Sequence, residues 1–169
     1  MTLSALPPEE ALVETAGFAA VHAGLCLDAP ASLPWLVSAS VLMAQQACAL
    51  ALKAAGDHVP TQAGATELLL RASARARLPA PHTLPFSGAS RRSFDALVEA
   101  RNAHMHPRAA IWHITPPTLA RGLPAACDVV RHLILVQPVL PDMVSPTGQK
   151  ALDEHLRGIE ALAEFLGDG

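Results

Sequence analysis

In residues 29–52 not one side chain is charged. A stretch that long and that apolar, with "WLVSASVLMAQQACALAL" as its body, fits either a lipid bilayer or the middle of a helical protein. Gln45 and Gln46 stand near its middle with Ser38 and Ser40 just before them, and no basic flank follows beyond Lys53. A membrane span is normally held by basic and aromatic flanks and avoids paired amides at mid-depth. The pattern therefore predicts a helix buried on nearly all sides in a bundle, with no membrane partner. The rest of the chain must then supply the helices that surround it.

Composition agrees. Apolar residues make up 51% of the chain but aromatic residues only 4%, there is no Tyr, and Ala and Leu dominate. Those are the residues of packed helices rather than of sheets, so the fold class is all-α, an antiparallel bundle of five or six helices. A chain of 169 residues is long enough for one sizeable core and short for two, so residues 1–169 read as a single domain. Periodicity and punctuation predict six helical stretches. The first covers 8–27, opened by Glu9 and Glu10, with small residues (Ala16, Ala19, Ala20, Ala23) on its apolar side. The second is capped by Ser32, carries Pro34 in its first turn and stops at Gly56. The third covers 63–77, and the Pro-rich "LPAPHTLPFSGAS" after it is a loop. Ser90 caps the fourth, which Pro107 ends. The fifth runs from "TPP" to Gln137, with a kink or break expected at Gly122 and Pro124. The sixth covers 149–166, with Leu152, Leu156, Ile159, Ala163 and Leu166 at bundle spacing.

Cys26, Cys48 and Cys127 are odd in number and each lies in an apolar stretch, which predicts buried reduced thiols. "MTLSALPPEE" has neither a basic start nor an apolar core of the signal-peptide kind. Both features point to the cytoplasm. The net charge of −3 conceals a division: residues 71–108 hold seven arginines against Asp95 and Glu99, a local +5, leaving −8 for the remainder. A basic middle in an acidic protein suggests one face meant for an anion.

The fourth helix ends in "FDALVEARNAHMHPR", residues 94–108. Phe94, Leu97, Val98 and Met105 mark its apolar stripe, and the position that continues the stripe between Val98 and Met105 is Arg101. A guanidinium at a core-type position costs several kcal/mol unless it finds an acid, carbonyls, a ligand or a second subunit. Asn102 follows directly. His106 comes five residues after Arg101, which on a continuous helix is about 140° past a full turn. It also precedes Pro107, which disfavours helical geometry at the residue before it. The helix should unwind there and let the imidazole swing toward the arginine. His104 lies about 60° from Arg101 on the wheel and can touch it without unwinding. Spacing does not choose between the two histidines.

An imidazole changes charge near neutral pH and serves as general base or acid. A guanidinium stays charged and grips phosphate oxygens by two parallel hydrogen bonds. Together they suit RNA cleavage without a metal, one histidine taking the 2′-hydroxyl proton, another protonating the leaving oxygen, and arginine stabilising the charged phosphorane. A two-fold dimer would supply the second histidine.

"ARNAHMHPR", with Arg101, Asn102 and His106, resembles the R-(polar)-x3-H form of the Rx4-6H motif of HEPN domains, which are likewise bundles of helices. The resemblance implies that Arg101 and His106 are catalytic, that Asn102 supports them, and that the site forms across a homodimer. It further implies an endoribonuclease of toxin or defence type, with RNA as partner and a possible cognate antitoxin protein. His104 stays open as the alternative base, and Arg91, Arg92 and Arg108 are candidates for contacts to nucleic acid. One HEPN subgroup, toxins paired with minimal nucleotidyltransferases, carries a tyrosine two residues after the histidine. Here that position is Arg108 and the chain has no Tyr, so tyrosine modification is excluded.

No metal or cofactor is expected. His104, His106 and His113 form H-x-H-x6-H, but two histidines one residue apart converge on a strand, whereas these straddle a helix end. Gly-rich phosphate loops, CxxC pairs and Ser-His-Asp arrangements are absent. Gln45 and Gln46, polar on the most apolar helix, are expected to reach the Arg101 cluster. Trp112 and Ile114 in "AAIWHITPP" are expected to pack under the bundle. The alternative function is a non-catalytic helical module for dimerisation or ligand binding, in which Arg101 and Asn102 tie subunits together.

Overall fold

A computed structural model of the chain describes residues 6–106 and 112–168. Among them the fold is all-α, with six helices: α1 (Pro8–Leu25), α2 (Leu33–Ala54), α3 (Ala65–Ala72), α4 (Gly88–Met105), α5 (Pro116–Val130) and α6 (Pro146–Gly167). α2 is the centre. It packs against α1, α3, α4 and α5, and its Leu36, Val37, Val41, Met43, Ala47, Ala51 and Leu52 are wholly covered. By length and composition it could cross a membrane. Its lack of charge instead serves the interior of the bundle, where four neighbours leave few positions wet.

α4 and α5 run antiparallel, as the pairing of Gly122 on α5 with Ser93 and Leu97 on α4 shows, with Trp112 against Ala100 further along. α1 and α6 are parallel neighbours. Gly148 lies against Val13, His155 against Gly17 and Gly158 against Ala20. The end of the bundle where α1 and α4 finish and α2 and α5 begin therefore collects the last turn of α4 with the first turns of its neighbours.

Helix ends follow their caps. Pro8 stands at the first position of α1 with Glu9 and Glu10 in the first turn, where the helix dipole favours acids. Gly56, just past α2, has φ 79°, a conformation that glycine enters without a Cβ penalty. The cap of α4 is Ser87 rather than Ser90: its Oγ accepts the Ser90 N–H at 3.0 Å. Likewise Ser145 caps α6, accepting from Gly148 N at 3.1 Å, so that helix starts at Pro146. α3 is shorter at both ends than the spacing predicts. Ser73 Oγ donates back to the Leu69 carbonyl at 2.9 Å, and the chain turns away.

α5 is not divided at Gly122 or Pro124. The helix runs through both, and its buried Leu119, Leu123, Ala126, Cys127 and Val130 hold it against the core despite the donor that Pro124 lacks. The irregularity falls later, in a π-helical turn, Arg131–Val136. Arg131 there forms a two-pronged pair with Glu160 of α6, at 2.7 and 2.8 Å. Gly122 has a packing reason: a Cβ at that position would lie 3.2 Å from Leu97 Cβ and from the Ser93 carbonyl oxygen. The Ser93 backbone belongs to a helix and cannot retreat. Gly122→Ala should therefore lower stability by ~1–2 kcal/mol, overpacking outweighing the helix propensity that alanine adds, and a urea denaturation midpoint reads it.

All three cysteines are buried and unpaired with one another. Burial pushes Cys48 up to about 12 and raises Cys26 and Cys127 as well, so none is a thiolate at neutral pH.

The loop after α2 is tied down by charge. Asp57 accepts from Arg71 at 2.8 Å and from Arg77 at 3.0 Å, and Arg71 also donates to the His58 carbonyl. The Arg71 hydrogen bond, reinforced by both guanidinium charges, holds the Asp57 carboxyl below its usual range. A carboxyl with a depressed native pKa contributes stability above its unfolded value, and that contribution vanishes as pH falls through the native one. Wild type should thus be more stable than Asp57→Asn at pH 6–7, with the gap closing below about pH 4; paired denaturation curves at several pH values check this.

Candidate active site

α4 is anchored by Phe94, Leu97 and Val98, all buried. Beyond Val98 the core stops. Met105, on the same stripe, is 56% exposed, and Arg101 is half-buried rather than enclosed. The core-type position expected for Arg101 is thus corrected: its helix outruns the core, and at this end of the bundle the apolar side chain nearby is Trp35, itself 51% exposed. Among the described residues Arg101 finds no acid. Its Nε and Nη2 donate to Asn102 Oδ1 at 3.1 and 2.8 Å. Two of the five guanidinium N–H groups are thereby fixed and the charge is left unneutralised. This is the one side-chain hydrogen bond found among the candidate catalytic residues.

The helix ends where the residue before Pro107 predicts. His106 has φ −128° and ψ 68°, with its N–H still donating to the Asn102 carbonyl at 2.9 Å. Its side chain is exposed, and no hydrogen bond joins it to Arg101. Pro107 and Arg108 lie outside the described residues.

His104 has a different setting. Its ring stands edge-on between two indoles, 6.0 Å from Trp35 and 5.7 Å from Trp112 between centroids. Trp112 Nε1 in turn donates to the Ala100 carbonyl at 2.7 Å, pinning the incoming segment onto α4. Trp112 and Ile114 pack on the core, as expected of them. The two indoles are part of the site that spacing did not reveal. The signal was there in composition, since the chain has two tryptophans and both flank His104.

The basic face is thinner than the arginine count suggests. Arg71 and Arg77 are held by Asp57. Arg91 lies 3.6 Å from Asp95, which also accepts from Thr66. Arg92 is exposed with no carboxylate within 4 Å among the described residues. Gln45 and Gln46 do not hydrogen-bond Arg101. Gln45 donates to the Ala63 carbonyl at 3.0 Å, and Gln46 Oε1 is buried without a partner. Among the described residues no group of three His, Cys, Asp or Glu is placed to hold a metal.

Comparisons with family models, with curated proteins and with solved structures find no match. The site therefore stands on its own chemistry. Beside it lies an apolar face: Phe18 and Val21 of α1 with Trp35 and Leu42 of α2 are exposed and line a groove of about 710 Å³. Trp35 belongs to both the groove and the aromatic set around His104.

Proposed function

We propose that the chain is a metal-independent endoribonuclease of HEPN type, acting as a homodimer in the cytoplasm. The observation that carries this reading is the Arg101 guanidinium, without a carboxylate partner among the described residues and oriented by Asn102, at a helix end that also presents His106. In the reaction a 2′-oxygen attacks the adjacent phosphorus. His106 takes the 2′-hydroxyl proton, and Arg101 meets the charge that builds on the phosphorane oxygens. The 5′-oxygen leaves with a proton from the second copy's histidine, giving a 2′,3′-cyclic phosphate and a 5′-hydroxyl. His106 is preferred over His104 because the latter is packed between indoles. Arg92 supports phosphate contacts, as does Arg91 once released from Asp95, and Arg108 is a third candidate by its place in the sequence. A toxin or defence role, with a cognate antitoxin protein, accompanies this reading through the HEPN resemblance alone.

The apolar face favours a second reading, a non-catalytic dimerisation or ligand-binding module built on the same fold. Incubation of the purified protein with a labelled structured RNA in excess EDTA separates them. Cleavage leaving cyclic phosphate ends is expected. An intact panel of varied RNAs, with folded dimeric protein, sinks the nuclease and leaves the module.

A further inference from the structure

Arg92 does not stand alone. It shares a groove of about 340 Å³ between α4 and α5 with Arg121, and the hydroxyl residues Ser93 and Thr118 complete its polar lining. No acid lines it, and neither arginine has a carboxylate within 4 Å among the described residues. Arg121 is positioned by its own helix, its Nε donating to the Pro117 carbonyl at 3.2 Å. The Arg92 guanidinium lies back over the first turn of α4, where its Nη1 would be 3.6 Å from a Cβ on Gly88. Two guanidiniums and two hydroxyls with no competing carboxylate make a site for a tetrahedral oxyanion, since guanidinium matches phosphate oxygens in pairs. Arg92 precedes Arg101 by nine residues, about 13 Å along the helix axis and half a turn around it, so a strand that meets both passes round the helix.

We propose that the α4/α5 groove is a phosphate subsite, in which Arg92 and Arg121, with Ser93 and Thr118, hold a backbone phosphodiester of the RNA away from the bond that is cut. This rests on the ribonuclease reading and extends it to a residue, Arg121, outside the basic middle of the sequence. The groove gives affinity without sequence readout, because its donors address phosphate oxygens and not base edges.

The test is the salt dependence of single-stranded RNA binding by wild type, Arg92→Gln/Arg121→Gln and, as a loss of one surface charge outside the groove, Arg157→Gln on α6. Each phosphate contact contributes about 0.7 to the slope of log K against log salt on single strands. The double variant should lose about 0.7 of that slope and bind about fivefold more weakly at 0.1 M salt, while Arg157→Gln keeps the wild-type slope. An unchanged slope in the double variant, or an equal loss in Arg157→Gln, overturns the subsite. A second arm uses inorganic pyrophosphate, followed by amide NMR shifts. Shifts at Ser93 and Thr118 in wild type that vanish in the double variant support the groove as an anion site, even if wild type proves to neither bind nor cut RNA. In that event the nuclease reading fails and the groove does not. No shift at either residue counts against the groove whatever RNA does.

Discussion

Arg101→Ala should lower single-turnover RNA cleavage by about 10²–10³-fold, the range for removing a preorganised donor from a developing oxyanion. His106→Ala should cost about 10²–10⁴-fold, the range for a general acid–base group. Neither should unfold the protein. Arg101 is half-buried with its hydrogen bonds confined to the neighbouring Asn102, and His106 is exposed at the helix end. His104→Ala is the informative contrast. Its ring fills the space between Trp35 and Trp112, so truncation should cost ~1 kcal/mol of stability through lost packing and leave the cleavage rate within about tenfold. The reverse pattern, with activity lost only in His104→Ala, would transfer the proton-transfer role to the packed histidine. Asn102→Ala should fall between, because the guanidinium loses its orientation but keeps its charge.

That contrast shows where sequence reasoning reached and where it stopped. The fold class was legible because the uncharged run could be satisfied only by surrounding helices, and α2 indeed touches four of them. Helix starts were misplaced where a cap sat next to a residue normally counted as loop. Gly88 follows Ser87 and Pro146 follows Ser145, and both are compatible with a first helical turn. The wheel put Arg101 on the core stripe, but a wheel has no end. The core against α4 stops one turn earlier, which only the lengths and tilts of the neighbours decide. The same limit applies to Gln45: its partner, the Ala63 carbonyl, lies 18 residues away across a loop, and no periodicity encodes that. The division of the arginines was hidden for a related reason. Asp57 lies outside the basic segment by sequence but collects two of its seven arginines in space. Arg121 was passed over because it falls after the basic segment, although it shares a groove with Arg92.

Leu42→Glu should yield a folded monomer that cuts RNA poorly. Leu42 is 42% exposed on α2, beside Val21, Phe18 and Trp35 on the apolar groove, so the substitution removes little from the protein's own core. With this groove as the proposed contact between copies, the same side chain occurs twice in a two-fold dimer. With only that exposed part left to bury, the loss is ~0.6–1.3 kcal/mol of apolar burial at each copy, which weakens association by ~1.3–2.5 kcal/mol, or about 10–70-fold in Kd, and the carboxylate's desolvation adds to it. Sedimentation reads the dissociation directly. Activity should fall in step with the dimer fraction, because each cleft needs histidines from both copies. Complementation gives the sharper form of the same prediction. Arg101→Ala and His106→Ala homodimers are each deficient, but after mixing and exchange about half of the dimers are mixed, and each mixed cleft holds one arginine and one histidine. A cleft that needs both histidines stays deficient with one, so mixing should leave cleavage no higher than in the two homodimers, and rescue by mixing would mean that one arginine and one histidine suffice. Full activity of the Leu42→Glu monomer would mean that one copy holds the whole site, and the second proton donor would then have to be sought within a single chain.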